Sequence, residues 1–182
     1  ANDSQEIGGI AFAVANRCRA WSNKTVAGLR ASDPNYSYAR DGSNARFNKL
    51  MRTPDSETEL NPAMKLAVDW AQKALTNDGP DPSHGAFWWD GLDFKTNYAN
   101  HPKVRDGFKW SNPSHNIFSV PERQREVIVR WKIRNKKTGK IIDGGERGRY
   151  DSVWISTAAA GSTVFWLHNP DYLHATGGKA YR

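Results

Sequence analysis

Hydrophobic positions repeat with helical spacing in two places. In residues 6–21, EIGGIAFAVANRCRAW, the apolar side chains Ile7, Ile10, Phe12 to Ala15 and Cys18 predict a largely buried helix, with Asp3 or Ser4 as its N-cap. Its many small residues predict close packing against another helix. In residues 61–77, Met64, Ala67, Val68, Ala71, Ala74 and Leu75 recur every three or four positions behind Asn61 and Pro62, a cap and a first-turn proline. Asn77-Asp78-Gly79-Pro80 ends that helix. Between the two, residues 22–60 are polar and broken by Asp33-Pro34, Asp41-Gly42 and Thr53-Pro54, which predicts loops and short turns.

Strand patterns dominate the second half. Residues 127–134, VIVRWKIR, alternate apolar and polar; Lys136-Lys137-Thr138-Gly139 turns the chain, and KIID follows, which predicts a hairpin. DSVWIS (151–156) and STVFWLH (162–168) predict two more strands. HGAFWWDG (84–91) predicts a short strand of an unusual kind, with Phe87, Trp88 and Trp89 in succession. A strand sends alternate side chains to opposite faces, so the three rings do not all share one core face. GSTVFW echoes GAFWW. Residues 92–126 are loop-rich, and a linker near 119–126 separates an α-rich half from a β-rich half.

Composition narrows the class of partner. At 182 residues the chain is one domain or one domain with an appendage, long enough to bury a sizeable core. No run approaches the roughly 20 apolar residues of a membrane span, so membrane insertion is not expected. One cysteine, Cys18, excludes intrachain disulfides and cysteine-based zinc sites, and its apolar setting makes it a small core residue. The net charge of +7 favours polyanionic surroundings such as nucleic acid, anionic membrane surfaces or bacterial cell wall, or serves solubility alone. Eight tryptophans add stacking surfaces for bases or sugar rings. ANDSQEIGGI lacks a basic segment followed by an apolar one. With a start at Ala1, this predicts a mature form or a module cut from a larger protein.

Most catalytic motifs are absent. The histidines at 84, 101, 115, 168 and 174 form no HExxH, and no metal or cofactor is expected, although a site assembled from distant loops stays open. There is no GxSxG, no P-loop and no GxGxxG. Carboxylates remain. Glycoside cleavage needs one protonated carboxylic acid at the leaving oxygen, in an apolar setting that holds the proton. Glu6, at the edge of the first helix, and Asp3 are the candidates; the competing role of both is to favour the helix N-terminus. Asp41 and Asp90 read as turn residues.

Taken in order, these segments resemble the cell-wall hydrolase family of spore-cortex-lytic enzymes. The residues that carry the resemblance are Glu6-Ile7-Gly8-Gly9, IAFAVANR with its Asn16-Arg17 pair, NYSYARDG (35–42), AVDWAQKALTNDGPDPSHGAFWW (67–89) and SHNIF (114–118). It covers about residues 3–118; residues 119–182 form a β-rich extension without a counterpart. The resemblance implies an α+β, lysozyme-like fold and cleavage of the peptidoglycan glycan strand by a muramidase or lytic transglycosylase, with a single Glu as acid. In the family that Glu ends a preceding helix, so here the acid is Glu6, Asp3 or a residue upstream of Ala1. Tyr36, Tyr38, Phe87, Trp88, Trp89 and Trp110 are the cleft aromatics, with His115 and Asn116 to hold acetamido groups.

The expected setting is secretion or delivery to the periplasm and cell wall, as part of an antibacterial effector or lysin, with peptidoglycan as partner and a cognate immunity or inhibitor protein as a further one. Nucleic acid is not the expected partner. The alternative is a non-catalytic cell-wall- or nucleic-acid-binding module, in which Arg130, Lys132 and Arg134 share a strand face beside Trp131.

Overall fold

The first predicted helix forms as α1 (Ser4–Ala20), capped by Asp3, whose side chain accepts from the backbone N–H groups of Gln5 and Glu6. The computed structural model describes residues 3–39 and 42–182, with the backbone alone at 37, 38 and 58–60. Helix α2 (Val26–Ser32) follows behind Thr25, then a 3-10 segment (Pro34–Ala39), α3 (Ala45–Arg52) behind Asn44, and α4 (Asp55–Leu60). The stretch expected as loops is therefore largely short helix. Its helices are hard to read because they bury so little: among the described side chains α2 buries only Leu29, and α3 buries none. Helix α5 (Pro62–Thr76) starts at the predicted Asn61 cap and ends on Asn77 in the left-handed conformation.

Helices α1 and α5 pack closely, as the small residues of α1 predict. A Cβ placed on Gly8 would lie 2.7 Å from the Trp70 ring, so only glycine lets the helices approach this far. The Phe12 and Trp70 rings meet edge to face at 6.3 Å. Phe12, Ala15 and Ala74 form the buried centre. Cys18 on the same helix is buried too; burial pushes its thiol pKa up against the opposing fields of Arg19 and Arg17.

The chain forms two compact units, Ala1–Phe87 and Trp88–Arg182, so the aromatic run at 87–89 straddles the division and residues 119–126 lie inside the second unit. That unit opens with β1 (Trp88–Asp90), α6 (Asp93–Thr96), a 3-10 turn (Tyr98–Asn100), α7 (Pro102–Asp106) and β2 (Phe108–Lys109). A 3-10 turn (Pro113–His115) precedes the predicted hairpin, β3 (Val127–Arg134) and β4 (Ile141–Tyr150). Then come β5 (Trp154–Ala160), β6 (Thr163–His168) and α8 (Pro170–Thr176).

The first sheet has the order β1-β6-β5-β2, antiparallel except where β2 joins β5. The two echoing segments are partners: Trp88 lies opposite Trp166, and Trp89 opposite Phe165. Strand β6 is buried on both faces, so Val164, Phe165 and Trp166 stand in one run rather than alternating. Phe94, Val104, Phe108, Phe118, Val164 and Trp166 form the core, each such side chain contributing roughly 1.5–3 kcal/mol by burial. The β3–β4 ribbon is a separate two-stranded sheet against which α8 packs; a Cβ on Gly148 would lie 2.9 Å from Ala175 Cα. The chain is thus a mixed α+β protein. Among the described residues no helix is long and apolar enough to cross a membrane.

Candidate functional site

The sequence-predicted residues divide between the two units. In the first, Glu6 occupies the first turn of α1 and is half-buried. Asp3 Oδ1 accepts from Gln5 N at 2.9 Å and Glu6 N at 3.2 Å, so this carboxylate fixes the turn that carries Glu6. Further along, Asn16 donates to Asp81 Oδ2 at 2.8 Å and to the Ala86 carbonyl at 3.2 Å. Arg19 grips Asn16 Oδ1 and the Ala74 carbonyl. Arg17 forms a buried ion pair with Asp33. The Asn-Arg pair therefore anchors α1 to the 81–86 loop and to the end of α2. Asp81 also accepts from Ser83 N and Gly85 N, which shapes the turn in which His84 and Gly85 take positive φ. Tyr36 is half-buried in its 3-10 segment, and Phe87 is half-buried where the unit ends. The Tyr38 side chain and Asp41 lie outside the described residues.

In the second unit the rings of β1 are mainly structural. Trp88 packs on Trp154 at 4.9 Å and on His168 at 4.5 Å, and Trp89 is half-buried beside Phe165 on the other face. His168 continues the stack to Tyr172 at 5.3 Å. Trp110 lies 5.2 Å from Trp166 and packs against the core. Asn116 uses both ends of its amide on the backbone of Val120, closing a turn. His115 Nδ1 lies 2.9 Å from Ser156 Oγ. Ser156 Oγ also accepts from Ser111 N at 3.0 Å, so the hydroxyl links the Ser111 backbone to the His115 ring. Ser156 is only 1% exposed, so this serine–histidine pair is closed to a substrate.

The densest charged group was not legible as a site. Asp90, at the end of β1 rather than in a turn, has a side chain 11% exposed and pairs with Lys103 Nζ at 2.9 Å. His101 Nδ1 accepts from Lys103 N at 3.3 Å, capping α7, which leaves the Nε2 proton directed at Asp90 Oδ1, 3.4 Å away. The Lys103 ammonium also stands 4.7 Å from the Trp154 ring centre. Burial works to raise the Asp90 pKa, but the Lys103 charge and the hydrogen bonds from His101 and Lys103 outweigh it and hold the carboxyl below its usual range. Asp90, Asp93 and His101 offer ligand atoms within 4.8 Å of one another, a spacing that suits a cation. Lys103 already supplies the positive charge there, and both nitrogens of His101 are engaged. A metal would have to displace the ammonium. The cluster acts as a buried electrostatic tie between β1, the His101 cap and α7. Its members come from a strand end, a cap and a helix, so no local spacing announces it.

Open grooves occur among the described residues. One of about 590 Å³ lies along α3 and α4, lined by Asn48, Lys49, Arg52 and Glu57. Another, of about 510 Å³, is lined by Arg105, Asp106, Glu122, Arg123, Arg125 and Tyr150. Neither is lined by the predicted site residues. No family model, curated protein or solved structure matches the chain.

Proposed function

We propose that the chain cleaves the glycan strand of peptidoglycan, with a lysozyme-like architecture in its first unit and Glu6 as the acid. The observation that carries this reading is that two of the segments behind the family resemblance, Glu6 and Asn16-Arg17, stand on one helix, α1, and that Asn16 ties this helix to a third, the 81–86 loop, through Asp81 and the Ala86 carbonyl. Asp3 holds the turn that presents Glu6. The role assigned to Glu6 is to hand a proton to the leaving oxygen of the glycosidic bond. With one carboxylate placed in this way, the attacking group is the substrate's own hydroxyl, the lytic transglycosylase outcome, rather than a water held by a second carboxylate. The site of action is the periplasm or cell wall, reached by secretion or delivery, and the net charge of +7 suits that anionic matrix.

Digestion of purified peptidoglycan, read by mass spectrometry, tests the reading. Anhydromuramic ends support the transglycosylase form and reducing muramic ends the muramidase form. Intact sacculi after prolonged incubation would overturn both and favour a non-catalytic binding module.

A further inference from the structure

The β3–β4 ribbon concentrates the charge of the whole molecule. Between Val127 and Tyr150 stand eight basic and two acidic side chains, a net +6 in a chain of net +7. Both carboxylates are already neutralised, Asp143 by Arg130 Nε at 2.6 Å and Glu146 by Arg149 Nη2 at 2.9 Å. Lys132, Arg134, Lys136, Lys137 and Lys140 form no ion pair among the described residues. The same ribbon exposes large apolar groups. Ile133 lies opposite Ile142, with Trp131 two positions along the strand, so the three share a face; each is about half exposed, at 49%, 48% and 50%. Arg147 covers part of the Trp131 ring, with its guanidinium carbon 4.6 Å from the ring centre.

We propose that this ribbon is a peripheral docking arm for an anionic lipid surface. Charge complementarity chooses the partner class, and the isoleucines choose within it. A nucleic-acid backbone or a phosphodiester polymer would use the cations and gain little from half-exposed isoleucines. A bilayer interface takes both: Trp131, Ile133 and Ile142 enter the headgroup–acyl boundary, Arg147 at the Trp131 ring and the turn lysines Lys136, Lys137 and Lys140 carry their charges to the lipid phosphates, and Lys132 and Arg134, which alternate to the opposite face, add longer-range attraction. Docking of this kind needs no spanning segment. It is independent of the glycan-cleavage reading and is tested without it.

The full chain is mixed with vesicles of 30% phosphatidylglycerol in phosphatidylcholine, with vesicles of phosphatidylcholine alone, and with a single-stranded oligonucleotide. Each cation near an anionic surface strengthens attachment about fivefold. The tip variant Lys136→Glu/Lys137→Glu, placed in a solvent-exposed turn where the fold is not at stake, is therefore expected to bind the anionic vesicles at least about 25-fold more weakly. Trp131→Ser/Ile133→Ser is expected to lose vesicle binding as well, while Trp131→Phe retains it but lacks the blue-shifted emission of the wild type. Equal binding to neutral and anionic vesicles, or no binding to either, would overturn the proposal. So would oligonucleotide binding tighter than vesicle binding and unmoved by Trp131→Ser/Ile133→Ser.

Discussion

Replacing Lys103 by Met removes one charge from a buried pair and leaves the other. Asp90 would keep the Nε2 proton of His101 at 3.4 Å. Its side chain is 11% exposed and that of Lys103 10%, so water replaces little of the lost interaction. Breaking such a pair costs about 3–5 kcal/mol, because an uncompensated charge stays buried. For a chain of this length that lowers Tm by roughly 6–20 °C. The loss of the ammonium from the Trp154 face adds a smaller term of about 1 kcal/mol. Removing both charges should do less harm than removing one. Lys103→Met/Asp90→Asn is expected to recover at least half of the lost stability, since no unpaired ion then remains. Calorimetry or circular dichroism on the single and double variants measures this. A Lys103→Met variant within about 1 kcal/mol of the wild type, or a double variant as unstable as the two singles added, would refute the assignment of a buried electrostatic tie.

Two further outcomes follow from named contacts. Gly8→Ala gains about 1 kcal/mol of helix propensity but forces a methyl to 2.7 Å from Trp70, a clash worth about 1–3 kcal/mol. Trp70 is pinned by its Nε1 bond to Ser4 and by Phe12, so the steric effect wins and Tm falls in a thermal melt; a rise would mean that the ring yields. Asp90 titrates below its usual range when folded, so its contribution to stability is present above the unfolded value of about 3.9 and is lost as pH falls from there toward the folded value. Asp90→Asn should flatten that acid limb in urea unfolding measured from pH 6 to pH 3, and an unchanged limb would assign acid sensitivity to other groups.

The long helices and the inner strands were legible because burial leaves a period in the sequence. In α1 and α5 the apolar spacing, the Asp3 and Asn61 caps and Pro62 agree, and the elements formed within two residues of the expected bounds. Strand β6 was legible as an apolar run, whereas β5, expected at 151–156, forms at Trp154–Ala160 and takes in the small residues 157–160, and the GAFWW–GSTVFW echo marks segments that pair side by side. Helices α2 and α3 were hidden because a short helix that buries little has no hydrophobic stripe. Their caps, Thr25 and Asn44, were the available signals, outweighed by the surrounding Pro, Asp and Gly punctuation. The site was less legible than the fold. Carboxylate candidates on α1 follow from the sequence, but the partners of Asn116 and Trp110 depend on tertiary placement. Asp90, His101 and Lys103 converge from three elements, and His101 declares its role only through the tautomer that its cap imposes.

Glycan cleavage by this chain turns on the Glu6 carboxyl, and Glu6→Gln isolates it, because glutamine keeps the side-chain size and the helical turn. The most direct measurement compares product release from purified peptidoglycan by the wild type and by Glu6→Gln, with circular dichroism showing that both are folded. Muropeptides with cleaved glycan ends are expected from the wild type, with a fall of about 100-fold or more in Glu6→Gln, the scale of losing one acid–base group. Equal release by the two proteins would contradict this assignment and move the acid away from Glu6.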